Sequence, residues 1–199
     1  MRLSKPEFLA MNNPVRRYVQ KHVELQLMKK HLAKQRIDLF GKAILDAGCG
    51  SGYSTELLLT EYSPSRLVAF DFMPEQIEIA KKRKLPVDFF VGDVTQMELE
   101  SGSFDAVFIF GILHHVPSWK KGLKEVARVL KPDGVFLVEE VSTSKAFFDI
   151  ANFFGFKHPE EARFTWPEFE EGIESAGLKI LEKKQIIIKG TKSYLCQKI

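Results

Sequence analysis

The chain has 199 residues, 45% of them hydrophobic and 28% charged, which suits one globular domain with a sizeable core and excludes a disordered chain. Its formal net charge of +3 neither demands nor excludes a nucleic-acid partner. Two cysteines, Cys49 and Cys196, are too few for a disulfide framework or a cysteine-rich metal site, and there is neither a signal-peptide core nor an apolar run of roughly 20 residues, so a cytoplasmic protein with no metal and no membrane partner is expected.

From about Pro14 to Gln35, Val15, Tyr18, His22, Leu25, Met28 and Leu32 recur every three or four residues, the period of a helix with one buried face. Tyr18 and His22 are expected on that inner face. Arg16, Arg17, Lys21, Lys30 and Lys34 form the other face, which is either a solvated basic stripe or a contact for an acidic ligand. Next come short apolar runs with polar ends: Ala43–Leu45 ending in Asp46, Leu67–Phe70 ending in Asp71, Val87–Val91 ending in Gly92-Asp93, and Phe104–Phe110 closed by Gly111. Helical stretches through Leu57–Leu59, after Pro74 and from about Trp119 to Leu130 separate them, and Lys131-Pro132-Asp133-Gly134 is a strong stop before a fifth strand, Val135–Glu139. Strands alternating with helices predict an α/β fold, an open and mostly parallel sheet with helices on both faces. After a helix from about Pro167 to Gly177, the runs Leu178–Leu181, Ile186–Ile188 and Tyr194–Gln197 have no crossover between them, which predicts an antiparallel C-terminal hairpin. One domain over 1–199 is expected, with a helical cap at 1–41, a cofactor-binding core at 42–140 and an acceptor-side segment at 141–199.

The chemistry concentrates at the ends of the first strands. In Ile44-Leu45-Asp46-Ala47-Gly48-Cys49-Gly50-Ser51-Gly52, glycines at alternate positions between a buried strand and a helix let a ligand approach the backbone. Tyr53 stands where the dinucleotide fingerprint needs its third glycine, and the lysine of a phosphate-binding loop is absent, so a nucleoside ligand without phosphate is expected. Asp71 has the separation from Gly52 of an acid that accepts hydrogen bonds from ribose hydroxyls, and it also suits a helix N-cap. Asp93 suits an adenine amino group, or the support of its own loop.

Together these stretches, with VGDV, FDAVFIFGILHHV and EVARVLKPDGVFLVEE, resemble the Rossmann-like S-adenosylmethionine-dependent methyltransferase family in its small type 11 branch. The resemblance spans roughly Lys42 to Glu140. It implies that Asp46, Gly48, Gly50 and Gly52 form the cofactor loop, Asp71 binds ribose, and Asp93 and Val94 bind adenine. Phe110 and Gly111 then lie beside the methionine part, and S-adenosyl-L-methionine is the expected cofactor.

Methyl transfer from a sulfonium is an in-line displacement, so the protein positions the acceptor and manages its proton. His114 and His115 are the candidate general bases, and in the family that the run resembles such side chains often support packing or the cofactor instead. Tyr18 and His22, and an aromatic stretch from about Ser142 to Trp166 that includes Phe147, Phe148, Phe153, Phe154, Phe156, Phe164 and Trp166, are expected on the acceptor side, with Phe153 and Phe156 as substrate contacts; an ordinary packed helix is the alternative. The absence of Asn-Pro-Pro-Tyr or Asp-Pro-Pro-Tyr argues against adenine or glutamine amino groups as acceptors. A small-molecule acceptor is the leading expectation. An RNA or protein substrate, or a binding protein without turnover, is the alternative.

Overall fold

The computed structural model describes Phe8 and residues 12–141, 159–186 and 190–199. Seven strands form one sheet: β1 Ala43–Ala47, β2 Arg66–Asp71, β3 Asp88–Val91, β4 Phe104–Phe110, β5 Leu130–Val141, β6 Leu178–Gln185 and β7 Thr191–Lys198. Their order is β3-β2-β1-β4-β5-β7-β6. Strands β1 to β5 pair in parallel, and β7 runs antiparallel to both β5 and β6. The chain winds outward from β1 through β2 and β3, then crosses to β4 and continues the other way. That reversal opens a crevice beyond the carboxyl ends of β1 and β4, the position at which open α/β sheets bind ligands.

Strands covered on both faces must be apolar throughout. Ile44, Leu45, Ala106, Val107, Phe108 and Ile109 are fully buried. On one face Leu25, Met28, Leu32 and Leu58 pack against Phe108, Leu137 and Leu195. On the other, Trp119, Leu123, Phe169 and Ile173 pack against Val107, Ile109, Phe136 and Val138. Phe164, expected on the acceptor side, belongs to this second core, its ring 5.2 Å from that of Trp119 and 4.7 Å from that of Phe169. Trp166 packs against the same core, and the remaining aromatics of that stretch, Phe147, Phe148, Phe153, Phe154 and Phe156, lie outside the described residues.

Two boundaries differ from expectation for local reasons. Leu130 pairs with Phe104 and Val135 with Ala106, so β5 begins five residues early and Lys131-Pro132-Asp133-Gly134 bulges out of it. Asp133 takes the left-handed conformation, φ 61°. Strand β6 extends through Lys183 and Lys184 to Gln185, where an edge strand exposes charges.

The N-terminal helix departs most. It runs as an α-helix over Pro14–Val19, a π-helical turn over Gln20–Glu24, and an α-helix over Leu25–Lys34. A π turn absorbs an extra residue, so everything before it is rotated relative to Leu25, Met28 and Leu32. Gln20 and Glu24 are buried, while Tyr18 is 64% and Val15 71% exposed. Tyr18 and His22 stack on each other with ring centroids 4.5 Å apart, on the exposed face. The expected inner placement of Tyr18 and His22 is thereby corrected.

Candidate functional site

Where β1 ends, the N–H groups of Gly48 and Cys49 both donate to the Phe70 carbonyl at 2.8 and 2.9 Å. These two bonds hold the glycine turn across the tip of β2. Gly48 has φ +80°, and a Cβ there would fall 2.6 Å from Ile112 Cδ1, so the turn excludes any side chain on both conformational and steric grounds. Gly52 (φ +77°) opens the helix Tyr53–Tyr62, and a Cβ on it would meet Ala80 at 3.0 Å. Its smallness seats that helix against the next one.

Three aspartates surround the turn. Asp46 is fully buried beneath it, and its Oδ2 accepts from Ser54 Oγ and Thr55 Oγ1, each at 2.7 Å. Burial pushes its carboxyl up to about 6, against the pull of the two hydroxyls. Among the described residues its Oδ1 has no hydrogen-bond partner. Asp71 Oδ2 accepts from Gly50 N and its Oδ1 from Met73 N, both at 2.9 Å. The helix after β2 has Met73 as its N-cap residue and no side-chain cap, so Asp71 braces the turn and the chain after β2 without capping the helix. Asp93 Oδ1 accepts from Thr95 N and Thr95 Oγ1, both at 2.8 Å, which makes it a brace of its own loop as well as part of the wall.

One cavity of about 330 Å³ collects these groups. Gly48, Gly50, Asp71, Asp93, Val94, Phe110 and Gly111 line it. Asp46 and Gly52 are not on its wall; they support the turn from behind. His115 is on the wall and His114 is not. Tyr18 and His22 are absent from the wall, and Phe153 and Phe156 lie outside the described residues.

The wall also contains Gln20, Tyr53, Phe72, Gln76 and Ile112, which sequence reasoning did not assign to a site, and Arg16 and Arg17, for which contact with an acidic ligand was one of two expected roles. Arg16 Nη1 donates to both carboxylate oxygens of Glu24, at 2.7 and 2.8 Å. The Arg17 guanidinium lies 5.5 Å from the Tyr53 ring centroid. Of the expected basic stripe only Arg16 and Arg17 turn inward, while Lys21, Lys30 and Lys34 stay exposed.

A second polar cluster lies at the end of β5. Glu140 is fully buried; its Oε1 accepts from Leu113 N and its Oε2 lies against His114 Nδ1, both at 2.7 Å. Burial pushes its carboxyl up to about 8, opposed by backbone N–H groups. The His114 and His115 rings are 4.1 Å apart, so this buried pair stands directly behind a ring on the cavity wall. Burial likewise holds both thiols above their ordinary range, which leaves neither cysteine as a ready nucleophile. Among the described residues, no three His, Cys, Asp or Glu side chains group to hold a metal ion, and no helix is long and apolar enough to cross a membrane.

The donor set fits a phosphate-free nucleoside that carries positive charge. Carboxyls stand where hydroxyl and amino groups would need acceptors, and the turn offers no side-chain cation for phosphate. Arg17 supplies a cation on the wall, where a carboxylate would fit.

Comparison with known proteins agrees with this fit. A family model described as a methyltransferase domain matches residues 45–138. A demethylmenaquinone methyltransferase of Renibacterium salmoninarum is 38% identical over 104 residues, 51% of this chain and 42% of that protein. A ubiquinone biosynthesis O-methyltransferase of Xanthomonas oryzae pv. oryzae is 33% identical over 121 residues, 58% of this chain and 50% of that protein. The chain thus spans half or less of the length of these curated relatives. In fold, it superposes on a SAM-dependent methyltransferase from Aquifex aeolicus with a TM-score of 0.76 at 18% identity, covering 98% of this chain and 100% of that one.

Proposed function

Residues 45–138 belong to the S-adenosylmethionine-dependent methyltransferase family, and from that premise we propose that this protein transfers a methyl group from S-adenosylmethionine to a small-molecule acceptor. The observation that carries the reading is the single cavity shared by the glycine turn, Asp71, Asp93 and His115. When bound, the cofactor would supply a methyl group on a sulfonium, with a neutral thioether as the leaving group. The chain's own residues do the rest. Gly48 and Gly50 admit the ligand to the backbone. Asp71 accepts from the ribose hydroxyls, and Asp93 and Val94 receive the adenine. Phe110 and Gly111 flank the methionine part, and Arg17 faces its carboxylate. The acceptor then lies between the N-terminal helix and the ends of β4 and β5, where His115 takes its proton if it carries one.

Two relatives are named for demethylmenaquinone and for ubiquinone biosynthesis, which supports a small, apolar acceptor. A cytoplasmic location belongs to the same proposal. The test is incubation of the pure protein with methyl-labelled cofactor and fractionated host extract. Label in a small organic fraction is the expected result. Label in RNA or protein would replace the acceptor class, and tight cofactor binding with no labelled product would leave a binding protein.

A further inference from the structure

The end of β5 places more acid than base beneath the methionine side of the cavity. Glu139 is 4% exposed and Glu24 5%. Among the described residues, Arg16 and Glu24 from the N-terminal helix and Glu140 from its own strand act on Glu139, and the His114 ring reaches the same side of Gly111, 3.8 Å from where a Cβ on that glycine would lie. Arg16 already gives both of its close contacts to Glu24, and Glu140 faces His114. One guanidinium therefore serves two buried carboxyls. A Cβ placed on Gly111 would lie 3.6 Å from Glu139 Oε2, so this carboxyl stands directly behind a glycine of the cavity wall.

We infer that the Arg16–Glu24–Glu139 cluster senses the charge of the cofactor, favouring the sulfonium of S-adenosylmethionine over the neutral thioether of S-adenosylhomocysteine and releasing a proton from Glu139 when the sulfonium arrives. The inference rests on the cofactor reading above. A carboxyl taken out of water keeps its proton unless a cation compensates its charge. Arg16 compensates Glu24, and burial, followed by the charge of Glu24, holds Glu139 well above the ordinary carboxylate range. A second cation beyond Gly111 supplies what Glu139 lacks. The O–H bond of Glu139 breaks, the proton passes to solvent, and no bond forms between Glu139 and the ligand. Linkage makes the effect reciprocal: the ionised cluster holds the sulfonium more tightly. Methyl transfer removes the sulfonium charge, so Glu139 regains its proton and the product is held less tightly. The cluster thus favours turnover over product retention.

The test is calorimetry of the wild-type protein with S-adenosylmethionine and with S-adenosylhomocysteine at pH 7.5, each in two buffers of different ionisation enthalpy. Both ligands carry the same amino-acid end, so the difference isolates the sulfonium. Release of more protons with S-adenosylmethionine, by a difference approaching about one, is expected. E139Q abolishes that difference and lowers the preference for S-adenosylmethionine by about tenfold, the scale of one unit charge several ångströms away in a partly shielded site. The wild-type buffer comparison stands without the variant, should E139Q fail to fold. Equal proton release for the two ligands overturns the inference alone, as does an E139Q protein with unchanged preference. Failure of the wild-type protein to bind either ligand overturns the cofactor reading and the inference with it.

Discussion

Asp71 Oδ2 accepts a hydrogen bond from Gly50 N at 2.9 Å, so the acid at the end of β2 is tied to the glycine turn at the end of β1. The carboxylate serves two purposes. It fixes the turn, and it faces the cavity, where we propose that it accepts from a diol.

Asp71→Ala is accordingly expected to weaken S-adenosylhomocysteine binding by roughly 1.5–3 kcal/mol, the scale for losing hydrogen bonds to a charged group. Calorimetry on a variant with an unchanged circular dichroism spectrum measures it. Affinity equal to wild type would reduce Asp71 to a brace for Gly50 and Met73.

Gly48→Ala should cost both stability and binding. The new methyl would require φ +80° and a 2.6 Å contact with Ile112 Cδ1, and such strain costs on the order of 1–3 kcal/mol. Chemical denaturation gives the stability change, and the double variant with Ile112→Ala should recover part of the steric share. No recovery would mean that the backbone conformation is the whole cost.

The sequence made the centre of the molecule legible because parallel strands buried on both faces are written as unbroken apolar runs ending in a polar residue. Leu45-Asp46 and Phe70-Asp71 mark strand tips that way, although β1 runs one residue further to Ala47, and the tips meet at the ligand crevice. The N-terminal helix was misread for an equally physical reason. A regular 3.6-residue period cannot register the extra residue of the π turn, so Tyr18 and His22 were assigned the face that Arg16, Gln20 and Glu24 occupy. Glu139 and Glu140 passed as ordinary strand residues, since nothing local distinguishes a buried carboxyl from an exposed one until its partners, Arg16 and His114, are brought from elsewhere in the chain.

Stability should fall at alkaline pH through Glu140. Its folded value of about 8 lies above its ordinary 4.5. The sign follows from linkage: the contribution is full below about pH 4.5 and is lost as pH rises through about 8. Glu140→Gln removes that titration. The melting temperature of the wild type should therefore fall relative to that of E140Q between pH 5.5 and 9. Parallel curves for the two proteins would show that Glu140 keeps one protonation state across that range.

The two neighbouring histidines should separate cleanly on mutation. His114 is buried, with Nδ1 2.7 Å from Glu140 Oε2, and is not on the cavity wall. Its replacement by alanine leaves the fully buried Glu140 carboxyl short of a partner, which costs about 1–3 kcal/mol of stability. His115 is on the wall and its ring lies 4.1 Å from that of His114. On the proposed reading a ring so placed meets the acceptor, so His115→Ala should change S-adenosylhomocysteine affinity far less than it slows transfer. For an acceptor that must lose a proton, the expected loss is about 10²–10⁴-fold. Single-turnover transfer of labelled methyl to the product identified in extract, together with denaturation curves for both variants, gives the comparison. If H115A transfers at the wild-type rate, the acceptor needs no base at that position. If H114A is as stable as wild type, the pair with Glu140 contributes nothing to the fold, and the arrangement behind His115 must be sought in catalysis alone.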